Sequence, residues 1–161
     1  MKKKDIIVIL LVMFVLSGCG KKAKDNNKHI CEKKGIERTE SVSEISYIED
    51  VTNSAIVNDE GKLTYYSTLY HYTYNSKEDC FYWCDIKTKW NNDINSQFMN
   101  GGRRETKCTC DNHDLTEEYL YTDILHLDKT LRSDINELND DNTFRLDEWT
   151  QKYEKIGYNC S

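Results

Sequence analysis

Apolar and polar residues alternate with two different periods along this chain, and each change of period marks a new element. Residues 42–57 set Val42, Ile45, Tyr47, Ile48, Val51, Ile56 and Val57 among polar neighbours, which predicts a strand. The stretch NDEG at 58–61 is a turn signal, with Gly61 available for a positive φ. After it, KLTYYSTLYHYTY at 62–74 is dense in tyrosine and threonine, as strands are. Period two puts Tyr66, Tyr70, Tyr72 and Tyr74 on one face and Leu63, Tyr65, Ser67 and Leu69 on the other. The two runs predict a β-hairpin.

Ser76 and Asp79 then make a capping-box-like pair that opens a helix. Cys80, Trp83, Cys84, Trp90, Ile94 and Phe98 form its apolar stripe, and Gly101-Gly102 ends it. RRETKCTCD at 103–111 alternates, with Thr106, Cys108 and Cys110 on one face of a half-buried strand. Residues 115–138 fit two readings. Leu120, Ile124, Leu127, Leu131, Ile135 and Leu138 have helical spacing, yet Tyr119 to Leu127 suits a strand start. NDDN at 139–142 is a turn; Leu146, Trp149, Tyr153 and Ile156 mark a last helix stopped at Gly157, with Cys160 beyond it. This order predicts an α+β domain, a small antiparallel sheet packed against two or three helices.

The first residues change the picture. MKKKD is followed by an uncharged run from Ile6 to Gly18, 13 residues long. A helix needs about 20 residues to span the hydrocarbon core, so the run reads as a secretory h-region. Leu16-Ser17-Gly18-Cys19 looks like a bacterial lipobox. That resemblance implies that Cys19 is lipidated and becomes the first residue after cleavage, and multiple acyl chains anchor stably where one does not. The chain thus divides into a signal peptide (1–18), a lipid-anchored polar tether (19–30) and one α+β domain (31–161). Gly20, after the lipidated cysteine, is not the aspartate that retains some lipoproteins at an inner membrane.

The net charge of −6 is unevenly distributed. Lys21, Lys22, Lys24, Lys28, Lys33 and Lys34 face only Asp25 and Glu32 in the first part of the processed chain, which suits an anionic leaflet. The rest is strongly acidic and lacks the basic footprint that nucleic acid requires.

Six cysteines remain beside Cys19: Cys31, Cys80, Cys84, Cys108, Cys110 and Cys160. An even set in an exported chain predicts disulfides. KCTCDNH at 107–113 also offers Cys108, Cys110 and His113 as soft metal ligands. Cys-x-Cys is tighter than the usual zinc spacing, however, and oxidation competes for the thiolates. Cys80 near a helix start has the electrostatics of a reactive thiol, but C-x₃-C is not a thioredoxin spacing. There is no G-x-S-x-G, H-E-x-x-H or P-loop. DINELNDDNTFR fails as an EF-hand because Asn139 stands at the glycine position and Arg145 at the last ligand. No catalytic constellation emerges. Tyr66, Tyr70, Tyr72 and Tyr74 are the candidate binding surface, since tyrosine suits interfaces with sugars or proteins.

YEKIGYNC at the C-terminus, with an early cysteine after a short tether, resembles the YehR-like small lipoproteins. The resemblance implies a lipobox before a compact α+β domain and no catalytic residue. The tyrosine-heavy hairpin and the long 115–145 segment depart from that pattern.

A terminal clasp, Cys31 with Cys160, would close nearly the whole domain. Cys80 and Cys84 share a helix face about 6 Å apart along the axis, and Cys108 and Cys110 share a strand face about 6.7 Å apart. This C-x₃-C helix with a C-x-C strand resembles the cysteine-stabilised αβ motif of defensins and scorpion toxins, which pairs first with first. Here the strand returns through Gly-Gly antiparallel to its helix, so Cys84 should meet Cys108 and Cys80 should meet Cys110. The sequence therefore predicts a lipid-anchored domain at the cell membrane, facing outside the cytoplasm. It would bind an unidentified protein or carbohydrate without cofactor or enzymatic activity. The alternative is an extracytoplasmic metal or haem binder built on Cys108, Cys110 and His113.

Overall fold

The structure is a computed structural model that describes residues 27–41, 43–97, 101–127, 132–133 and 135–161. Cys19, the signal segment, Val42, Phe98 and Leu131 lie outside the described residues. Three long strands come first: β1 (Lys28–Thr39), β2 (Ser46–Val57) and β3 (Leu63–Tyr74). Helix α1 (Lys77–Gln97) leads into β4 (Gly102–Thr109), a 3₁₀ turn at Cys110–Asn112 and β5 (Asp114–Tyr121). A second 3₁₀ turn (Ile124–His126), helix α2 (Leu146–Lys155) and the short β6 (Asn159–Cys160) complete the order. The protein is thus α+β, with one six-stranded antiparallel sheet in the order β4-β5-β3-β2-β1-β6 and three disulfides. No helix among the described residues is long and apolar enough to cross a membrane.

The β2–β3 hairpin closes where the turn signal lies. Asn58 Oδ1 accepts from the N–H groups of Glu60 and Lys62, and Gly61 takes φ +76°. At the start of α1, Ser76 Oγ accepts from the Asp79 N–H at 3.1 Å and donates to its carboxylate at 2.7 Å. Gly101 has φ +79°, and a Cβ there would come within 2.4 Å of the Asp123 carbonyl oxygen. Only glycine fits both demands.

Two expectations need correction, and one segment with two open readings is resolved. Strand β1 begins at Lys28, inside the stretch expected to be tether, and its run KHICEKKGIERT shows little apolar alternation. Its period is also broken by a register shift between Lys33 and Ile36, where Gly35 has φ +68° and donates to Asp50 Oδ1. The ambiguous segment after residue 114 opens as strand β5, not helix, because it pairs with both β3 and β4. Trp90 is not part of the buried stripe of α1: it is 66% exposed. Lys87 and Asn91 point inward in its place, held by the buried Glu117 of β5.

That inward polar set is fully connected. Lys87 Nζ donates to Glu117 Oε2 at 2.6 Å, Asn91 Nδ2 donates to Glu117 Oε1 at 3.1 Å, and the Tyr72 hydroxyl donates to Oε2 at 3.3 Å. A buried carboxylate is tolerated only with such partners. One turn further, Asn95 bonds both main-chain groups of Arg104 on β4, accepting from its N–H at 2.9 Å and donating to its C=O at 2.7 Å.

The sulfurs pair as Cys80–Cys110 and Cys84–Cys108, with Cα atoms 5.5 and 6.1 Å apart. This is the order that an antiparallel helix and strand require, and the reverse of the toxin order. Cys110 itself sits in the 3₁₀ turn just past β4, not within the strand as expected. Cys31 and Cys160 are bonded and also lie opposite each other in the β1–β6 ladder. Two core clusters result. One gathers Tyr72, Tyr74, Cys80, Cys110 and Leu115 under α1. The other gathers Cys31, Ala55, Tyr66, Tyr121, Phe144 and Trp149 around α2.

The Cys31–Cys160 bond spans a sequence separation of 129 residues. In the chain-entropy model, loops of that size contribute about 5 kcal/mol. Replacing both cysteines with serine should lower the unfolding free energy by roughly that amount in urea denaturation. An unchanged midpoint would count against the clasp as a stabilising element.

Candidate functional site

Strand register brings the candidate site together. The pairs Arg104–Tyr119, Tyr119–Thr68 and Thr68–Asn53 make one cross-strand row over β4, β5, β3 and β2. Side chains at paired positions point to the same side of a sheet, so this row shares the face that carries the two core clusters. Tyr70 and Val51 flank it on one side and Tyr66 and Tyr121 on the other. Together with Tyr153 of α2 and Tyr158 just beyond it, these residues line a cleft of about 380 Å³. That size falls within the usual range for small-ligand sites.

The cleft floor has its own hydrogen-bond order. Asn53 is 2% exposed, and its Oδ1 accepts from Thr68 Oγ1 at 2.8 Å and from the Tyr153 hydroxyl at 3.4 Å. No acceptor pairs with its amide nitrogen among the described residues. The Tyr66 and Tyr153 hydroxyls lie 3.5 Å apart. Arg104 lays its guanidinium over the Tyr119 ring at 4.4 Å, and its buried Nε has no hydrogen-bond partner. At the rim, Lys33 Nζ lies 5.8 Å from the centre of the Tyr158 ring and donates to the Ile156 carbonyl.

The expected tyrosine surface is corrected by this geometry. Tyr66 and Tyr72 are each 6% exposed and Tyr74 is 3% exposed, so none of the three is a surface residue. Tyr72 and Tyr74 lie in the core beneath α1, because alternation directs them to the covered face. Tyr70 alone keeps partial exposure, stacked on Tyr72 and edge-on to Tyr119 in the cleft. The inward face of β3 therefore forms the floor of a recess between helices.

The metal reading built on Cys108, Cys110 and His113 is also corrected. Both cysteines are bonded to α1 cysteines, so neither offers a thiolate there. His113 takes φ +65° and caps the 3₁₀ turn through its backbone, donating to the Cys110 carbonyl. No cluster of three metal-ligating side chains occurs among the described residues. Cys19 and the lysines of the tether up to Lys24 lie outside the described residues.

Sequence reading missed Arg104, Asn53, Thr68, Tyr119 and Tyr153 as site residues. One signal was present: extending the Thr106–Cys108 face two residues back places Arg104 inward on a half-buried strand. Among the cleft residues there is no histidine, carboxylate or thiol. No protein-family model, curated protein or solved structure matches the chain.

Burial is the main cause that raises the tyrosine pKa values here. It pushes Tyr70 up to about 12 and shifts Tyr72, Tyr74, Tyr119 and Tyr153 upward as well. A group whose folded pKa is raised contributes stability below its unfolded pKa and loses it as pH rises through the folded value. For Tyr70 that window runs from pH 10.0 to about 12. A spectrophotometric titration should therefore show a class of tyrosines, Tyr70 among them, that ionises well above pH 10.0 and only as the fold is lost. A single transition of the native protein near pH 10.0 would contradict this burial.

Proposed function

We propose that this chain is a lipid-anchored binding domain, held at the cell membrane outside the cytoplasm, and that the tyrosine-lined cleft is its ligand site. In this reading a small antiparallel sheet rests against two or three helices, and the tether carries the domain from Cys19. The cleft carries the functional reading: several aromatic rings, a buried asparagine and a guanidinium converge on one recess of ligand size. Binding rather than catalysis is favoured because the lining holds no nucleophile with an adjacent base. The lipobox-like LSGC and the three disulfides support a location where cysteines oxidise. The partner is a small molecule or carbohydrate entering the cleft, and the acidic domain disfavours nucleic acid.

A fragment-mixture screen by amide NMR on the detergent-solubilised chain tests the site. The largest shifts should cluster at Asn53, Thr68, Tyr70, Arg104 and Tyr119, and Thr68→Trp should suppress them by filling the recess. Shifts centred elsewhere would defeat the cleft as the binding site.

The anchor has its own test. Cys19→Ser should abolish labelling by a palmitate analogue and leave a longer precursor. Labelling that persists in the mutant would remove the basis for the membrane location.

A further inference from the structure

We propose that the cleft recognises a sugar ring bearing a single carboxylate, with Arg104 as the residue that pairs with the acid group. The inference rests on the cleft being the binding site and adds the chemical class of its ligand.

Arg104 lacks a counter-charge. Among the described residues no ion pair involves it, and its buried Nε is unpartnered. The two buried carboxylates on the same sheet face are already engaged: Glu117 with Lys87 at 2.6 Å and Glu49 with Arg38 at 2.8 Å. Arg104 is half-buried, and an anion that reaches its guanidinium there would gain a charge-assisted hydrogen bond. Asn95 pins the main chain of Arg104 and Tyr119 supports its guanidinium, so the donor fork is pre-organised.

The remaining groups select the rest of the ligand. Thr68 and Tyr153 already donate to Asn53 Oδ1, so their hydroxyl oxygens are left to accept, while Tyr66 and Tyr70 add two further hydroxyls and Asn53 leaves its amide nitrogen unpaired. Neutral groups of this kind suit the hydroxyls of a sugar, while tyrosine rings suit its C–H surfaces. An amino acid would bring an ammonium group, and the cleft has no free carboxylate for it. A phosphate would bring close to two negative charges against the one cation that lines the cleft, since Lys33 stays at the rim on the Ile156 carbonyl. A carboxylate matches that charge.

Saturation-transfer NMR and calorimetry on the detergent-solubilised chain decide the matter, with D-glucuronate, its neutral isostere D-glucuronamide, D-glucose and glucose 6-phosphate as probes. Glucuronate should bind at least about tenfold more tightly than glucose or glucuronamide, since a charged hydrogen bond is worth roughly 1.5–3 kcal/mol. Arg104→Gln should bring the three to similar affinity, and Arg104→Lys should keep part of the preference. Should Arg104→Gln fail to fold, the comparison of glucuronate with glucuronamide on the unaltered chain still decides. Equal binding of acid and amide, tighter binding of the phosphate, or no saturation by any sugar would overturn the inference. If fragments still map to the cleft in that case, the binding-site reading stands and only the ligand class is wrong.

Discussion

Helix α1 turns Lys87, Asn91 and Asn95 toward the sheet, and polar side chains hold a helix down only when each one meets its partner. Register is therefore the constraint on which this structure depends. A sliding apolar helix loses little contact area, but a shift of one residue here would strand the Glu117 carboxylate in the interior. The Cys80–Cys110 and Cys84–Cys108 bonds prevent that shift. Two cross-links on one helix face also remove rotation about either bond, so the helix is fixed in position and in orientation. Packing alone would not fix it, because the exposed side of α1 still carries Phe81, Tyr82 and Trp90.

Fixing α1 over β4 and the upper part of β3 has a consequence at the sheet centre. Helix α2 is tied to the opposite edge through β6 and the Cys31–Cys160 bond. Each helix covers its own cluster of large side chains, and the Arg104–Tyr119–Thr68–Asn53 row falls between them. The recess arises from where the cross-links place the helices, and the polar row at its floor is the part of the sheet that neither apolar cluster claims. The elements on either side of the recess are thus each held by a disulfide.

The hairpin was legible in the sequence because period-two alternation and the Asn58-Asp59-Glu60-Gly61 turn agree with each other. The staple was legible because C-x₃-C on a helix and C-x-C beside it have matching lengths, and a Gly-Gly turn fixes their relative direction. Strand β1 was hidden by charge and by the bulge at Gly35, which together erase alternation. Trp90 misled because hydrophobicity was taken to decide the inner face of α1, whereas a buried carboxylate on β5 decided it. The cleft was illegible for a different reason. Its row exists only because β5 lies between β3 and β4, and the sequence of β5 fitted helix and strand equally well until its partners were known.

The bond from Asn95 to the Arg104 main chain has a meaning beyond holding α1 in place. Strand β4 is the last in its sheet, and such a border normally offers peptide groups that another chain can match. An amide side chain has the same donor and acceptor as a peptide unit, so Asn95 occupies the position that an incoming strand would take. At that point of the border a neighbouring copy meets a side chain of α1 instead of free peptide groups, which hinders strand addition there.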